Sequence, residues 1–106
     1  MTTYLEREAD LIRQCLPAST EVPESADGLF LIYAVLLRAK GVDTQASDVH
    51  DAWSAWMIGI DPNHESVRPF DDLNAATRSE DGPFLTAIRR AAQRRAHHGT
   101  APTGER

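Results

Sequence analysis

The sequence predicts an all-α protein: a compact bundle of four main helices plus one short helix, with an ordered proline-containing loop and a disordered C-terminal tail. Three observations predict it. Val49, Ala52, Trp53, Trp56 and Met57 recur at i, i+3, i+4, i+7 and i+8, which is one stripe of an α-helix. Thr3 and Glu6 stand at capping-box separation at the head of a second periodic segment. The apolar run 29–37 sits between a cap candidate, Ser25, and a terminating Gly41. A chain of 106 residues, 42% of them apolar and 25% charged, suits one globular core, assigned here to residues 1–97 with 98–106 as tail.

The first helix begins after Thr3 and presents Leu5, Ala9, Ile12 and Leu16 at helical spacing, and Pro17 ends it because the residue before a proline is driven out of the α region. Residues 17–24 form a loop. Ser25 caps the second helix, Asp27 suits the positive end of its dipole, and Arg38 and Lys40 suit the negative end. Residues 29–37 leave no polar face, so this helix is expected to be central and covered nearly all round. Period alone would also permit a strand there; length and caps decide for helix. Thr44 opens the third helix and Gly59 closes it. Residues 60–69 contain two prolines and several turn formers and are read as an ordered loop. Asp71, Asp72 or Asn74 caps a short helix through Arg78. The last helix runs from about Gly82 to about His97, with Pro83 tolerated in its first turn and Phe84, Ile88 and Ala91 facing inward.

Charge and cysteine usage bound the function. The net charge of −5 argues against general nucleic-acid binding, although it is unevenly spread. Up to Ile88 there are 15 acids against 6 bases (−9), and from Arg89 onward 5 bases against 1 acid (+4). One cysteine, Cys15, permits no internal disulfide and is read as a small buried hydrophobe. With no charged-then-apolar leader and no apolar run approaching the ~20 residues of a membrane span, the expected location is the cytoplasm.

Chemistry-bearing residues gather between His50 and Asp81. His50, Asp51, Asp61 and His64 are metal-ligand types without the paired spacing that specifies a zinc site, so no metal and no cofactor are expected. His50 is read as a helix-surface residue near Asp51, and His64 as a loop residue bonded to backbone. Trp53 and Trp56 are first of all core residues, but three positions apart they diverge by about 60°, so one of them can wall a shallow pocket. Asp71 and Asp72 are helix N-terminal anions rather than a catalytic pair. Arg89, Arg90, Arg94 and Arg95 form a basic face late in the last helix, read as a solvated helix end or as a contact to an acidic partner or phosphate backbone. No Ser-His-Asp order, Gly-rich phosphate loop or Cys-His pair is evident, so no catalytic residues are assigned.

Val49-His50-Asp51-Ala52-Trp53, then His64-Glu65-Ser66-Val67-Arg68-Pro69-Phe70-Asp71-Asp72-Leu73 and Asp81, resembles the ryanodine receptor repeat domain over residues 49–91. That resemblance implies a non-enzymatic regulatory or interaction module, with Trp53, Trp56, His64, Pro69 and Phe70 as pocket candidates. The blocks 36–41, 49–56 and 84–90 also resemble short uncharacterised proteins of actinobacteria and their phages, which implies a bacterial or phage-encoded protein. The reading taken from the sequence is a non-catalytic helical module that binds another protein. Its first alternative is a small-ligand or nucleotide sensor whose pocket lies between the third helix and the 59–70 loop, built from His50, Trp53, Trp56, His64, Arg68, Pro69 and Phe70. Its second is nucleic-acid contact through the arginine face, which the acidic balance disfavours.

Overall fold

A computed structural model describes residues 2–100, with side chains described through Ala96. It is all-helical as expected: α1 (Tyr4–Gln14), α2 (Asp27–Lys40), α3 (Ala46–Ile58), the short α4 (Ala75–Ser79) and α5 (Gly82–Thr100), with 3-10 turns at Gly41–Asp43 and Phe70–Asp72. No helix among the described residues is long and apolar enough to cross a membrane.

α1 opens on the expected reciprocal cap. The Thr3 hydroxyl accepts from the Glu6 N–H at 3.1 Å, and the Glu6 carboxylate accepts from the Thr3 N–H at 2.7 Å, which holds the Glu6 carboxyl below its usual pKa. α2 is the central element, packing on α1, α3 and α5. Its Phe30 and Tyr33 meet Phe84 of α5 in an aromatic trio with centroid separations of 5.6–6.1 Å. Ala87, Ala91 and Ala92 lie beside Ile88 on the buried side of α5, and their small side chains let that helix close on the bundle. Cys15 is buried as a hydrophobe should be.

Four expectations need correction. α2 starts one residue later than expected: Ala26, 3% exposed, is drawn into the core as the N-cap residue, and Ser25 is left in the left-handed region at φ 57°. α2 is not covered all round. Leu31 (36%) and Val35 (53%), one turn apart, stay exposed. Thr44 does not cap α3; it is fully buried, its hydroxyl donates to the Gly41 carbonyl, and Gln45 is the cap, its N–H held by Asp48 at 2.8 Å. Finally, α5 continues three residues beyond His97, to Thr100, and the rest of the expected tail, 101–106, lies outside the described residues.

The remaining boundaries follow local chemistry. Gly41 ends α2 at φ 55° and ψ −126°, a conformation open to glycine alone. Asn74 caps α4 by accepting from the Thr77 N–H at 2.8 Å. Between α3 and α4 the chain is an ordered series of turns, in which the Asp61 N–H donates to Met57, His64 to Asp61 and Val67 to His64.

Candidate ligand-binding site

α3 turns two of its sides inward. Val49 and Ala52 enter the core, while His50 and Trp53, each one position further round the helix, face the turns that follow α3 and the junction of α4 with α5. Between these elements and α2 lies a cleft of about 220 Å³. α3 supplies His50 and Trp53 to it, the loop His64 and Ser66, the α4–α5 junction Thr77, Glu80, Asp81 and Phe84, and α2 Leu29 and Tyr33. Glu21 and Pro23, from the α1–α2 connection, complete the rim.

His50 is not the surface residue expected from the sequence. It is 2% exposed, and its Nε2 lies 2.7 Å from the Arg68 carbonyl oxygen, so Nε2–H donates to that carbonyl. Nδ1 then faces Asp81 Oδ2 at 3.7 Å. A proton on either member relieves two facing acceptors. Burial pushes the Asp81 carboxyl above its usual pKa, His50 opposes that shift, and the neighbouring Glu80 charge adds to it. The His50 ring stacks on Trp53 at 5.7 Å with 22° between planes, and His64 meets the same indole edge-on at 5.1 Å. His64 behaves as read from the sequence, its Nδ1 accepting from the Ser66 N–H at 3.0 Å. Trp53 thus lies between two imidazoles that are both held by backbone.

Tyr33 sets this cleft apart from the rest of the core. The side chain is 0% exposed, and its hydroxyl has no hydrogen-bond partner among the described residues. Burial raises the phenol well above its usual pKa, and the charge of Asp81, which lines the same cleft, raises it further. Glu8 and Arg78 also carry one unpaired buried atom each, but both are bonded through another atom of the same group, Glu8 to Arg38 and Arg78 to the Asp71 carbonyl. Tyr33 has one polar atom and nothing to bond it.

Three residues expected at the site come together there: His50, Trp53 and His64. Trp56 does not join them. Its indole lies over Gly28 at the start of α2, where an added Cβ would meet it at 3.6 Å, so it serves the α2–α3 contact. Arg68 contributes its carbonyl, while its side chain lines a separate shallow depression with Asp72. Pro69 caps the following 3-10 turn, and Phe70 lies behind His50 at 6.2 Å, under the Arg78 guanidinium. These two support the wall from outside.

The arginine face is largely spent on the bundle. Arg89 donates from Nε and Nη2 to the Thr44 carbonyl at 3.0 and 2.7 Å. Arg90 reaches the Cys15 carbonyl at 3.3 Å, and Arg95 pairs with Glu8 at 3.2 Å, leaving Arg94 exposed. The expected solvated helix end is therefore a set of ties to α1 and to the chain ahead of α3.

Sequence reasoning missed Tyr33, Thr77, Glu80 and Glu21, and it treated Asp81 only as the acid that introduces the last helix. One signal was available. Tyr33 carries the only side-chain oxygen in the run 29–37, and a buried phenol demands a partner.

Comparison with known proteins returns one family. The domain of unknown function DUF7701 matches residues 3–93, which spans α1 to α4 and most of α5. No curated protein and no solved structure matches.

Proposed function

The chain belongs to the DUF7701 family, and from that premise we propose that it is a non-catalytic helical module that binds a small ligand in the cleft beside Trp53. The observation that carries this reading is the Tyr33 hydroxyl, fully buried, without a partner, on a residue that lines the cleft. Such a group costs stability, and the cost is recovered only when something supplies its hydrogen bond. The non-catalytic part is supported by His50, whose two ring nitrogens are directed to the Arg68 carbonyl and to Asp81. Nε2–H is thereby committed to a backbone carbonyl. The resemblance of residues 49–91 to the ryanodine receptor repeat accords with a regulatory module, since the His64–Leu73 stretch that carries it begins in the wall of the cleft. A bacterial or phage cytoplasmic setting belongs to the same proposal.

A nucleotide is a poor fit among small ligands. Among the described residues no Lys or Arg lines the cleft, whereas Glu21, Glu80 and Asp81 do, and phosphates would meet these carboxylates directly. The volume is also below the ~300 Å³ at which drug-sized pockets begin.

The test is an NMR titration of the intact chain with a library of small soluble molecules. Amide shifts confined to residues 50–53, 64–66 and 77–84 are expected for those that bind. Absence of any saturable shift in that set ends the ligand reading. Protein docking remains a second reading, favoured by one observation: Leu31 and Val35 form an exposed apolar strip on the outer side of α2.

A further inference from the structure

The cleft is rich in acceptors. Asp81 and Glu80 reach it from the α4–α5 junction and Glu21 from the α1–α2 connection, and Tyr33, whose buried hydroxyl has no partner among the described residues, lines it too. The Tyr33 hydroxyl, bonded to no described residue, has lone pairs available to an incoming donor. On the donor side, His50 Nε2–H is already given to Arg68, and no Lys or Arg side chain among the described residues lines the cleft. A site composed in this way is complementary to positive charge carrying N–H groups. A bare metal ion does not fit, because no three His, Cys, Asp or Glu side chains among the described residues come together to hold one. The walls from Trp53, Leu29 and Phe84 are apolar and call for an organic body beside the charge.

We infer that the ligand is a small organic cation with N–H donors, an amine or amidine of about ten heavy atoms, held by Glu21, Glu80 and Asp81 and by the Tyr33 oxygen. This rests on the ligand-binding reading above and names the chemical class that reading leaves open. Size follows from the 220 Å³ cleft, which encloses a single ring with a charged substituent. Charge selection follows from Glu21, Glu80 and Asp81 lining one small volume that no Lys or Arg among the described residues enters.

Benzamidine, benzamide and benzoate share one shape and differ in charge, so the three are titrated separately into the intact chain up to about 10 mM, read by amide shifts and by Trp53 fluorescence. Saturable binding of benzamidinium at least about tenfold tighter than benzamide, with benzoate weakest, is expected. The double variant E21Q/E80Q alters two exposed side chains that the fold does not need. It is expected to reduce benzamidinium affinity by roughly tenfold, as two partly screened carboxylates should, and to leave benzamide unchanged. Tyr33→Phe is expected to weaken both amidine and amide, since each offers N–H to the phenol oxygen. Benzamide or benzoate binding as tightly as benzamidinium overturns the cation assignment while the ligand-binding reading stands. Silence with all three compounds, in a chain that does bind another, neutral member of the library at residues 50–53, likewise overturns the cation assignment alone. Silence with every compound removes both.

Discussion

Replacing Tyr33 by Phe deletes one oxygen from the centre of the molecule and leaves the ring where it is. The ring keeps its contacts to Phe30 at 5.6 Å and Phe84 at 5.7 Å, and no hydrogen bond is lost because the hydroxyl makes none. What disappears is the desolvation cost of a buried, unsatisfied polar group, about 1–3 kcal/mol. The variant should therefore be more stable than the parent, against the usual direction of a core substitution. For a domain of this size about 1 kcal/mol raises Tm by roughly 4–8 °C. Urea unfolding with both proteins at one pH gives the free-energy difference, and equal m-values ensure that the same surface is exposed on unfolding. Adding a ligand that bonds the phenol should narrow the gap, since it stabilises the parent in proportion to RT ln(1 + [L]/Kd) and the variant less. A variant equal to or weaker than the parent would mean that the hydroxyl is already satisfied, and the case for a ligand built on it would be lost.

Other substitutions address the walls and the scaffold. Asp81 keeps its proton to higher pH in the folded chain than in the unfolded one, because burial raises its pKa. Between those two values the folded state binds more protons, so stability declines as pH rises, and Asp81→Asn should flatten that decline when urea midpoints are compared near pH ~4 and ~7. An unchanged slope would place the titration elsewhere. His50→Ala removes the donor to the Arg68 carbonyl and the ring beneath Trp53, at an expected cost of about 2–4 kcal/mol together with a shift in tryptophan emission. A loss under about 1 kcal/mol would show that water replaces the imidazole. Arg89→Ala should cost about 1.5–3 kcal/mol by stripping both donors from the Thr44 carbonyl, whereas exposed Arg94→Ala should stay within about 0.5 kcal/mol. Equal effects would return the arginines to the status of a solvated face. Gly41→Ala has room, its new Cβ meeting only Ala92 at 3.7 Å, so a drop of about 1–3 kcal/mol in chemical denaturation would measure the strain of φ 55° with ψ −126°, and no drop would show that the turn relaxes.

Local signals in the sequence reported the helices well because they act within a few residues. The Thr3–Glu6 box, Pro17, Gly41 and Asn74 each mark a boundary through chemistry that their neighbours complete. Ser25 and Thr44 misled for the opposite reason. Both are good capping residues displaced by long-range packing, Ser25 by the burial of Ala26 and Thr44 by Arg89 reaching its carbonyl from far along the chain. Half of the cleft was legible, since His50, Trp53 and His64 fall within one short stretch. The other half comes from α2 and from the α1–α2 connection, and no spacing rule brings Tyr33 or Glu21 to Asp81. His50 was misjudged because its polar character suggested exposure, when the Arg68 carbonyl and Asp81 make burial tolerable.

The two tryptophans show how one stripe serves two purposes. Their offset of about 60° lets Trp56 lie over Gly28, where the absence of a side chain brings α2 and α3 together, while Trp53 is turned toward the loop and the α5 entrance. The first contact fixes α3 on the core, and the rigidity it gives keeps the second indole in place between His50 and His64. Buried polar groups divide along the same line. Thr44 is spoken for on both its hydroxyl and its carbonyl, and it ties α5 to the start of α3. Tyr33 is bonded by no described residue through its hydroxyl, although a phenylalanine would pack there equally well. Under the proposed ligand reading, that oxygen is the group to which a molecule bound in the cleft supplies the missing hydrogen bond.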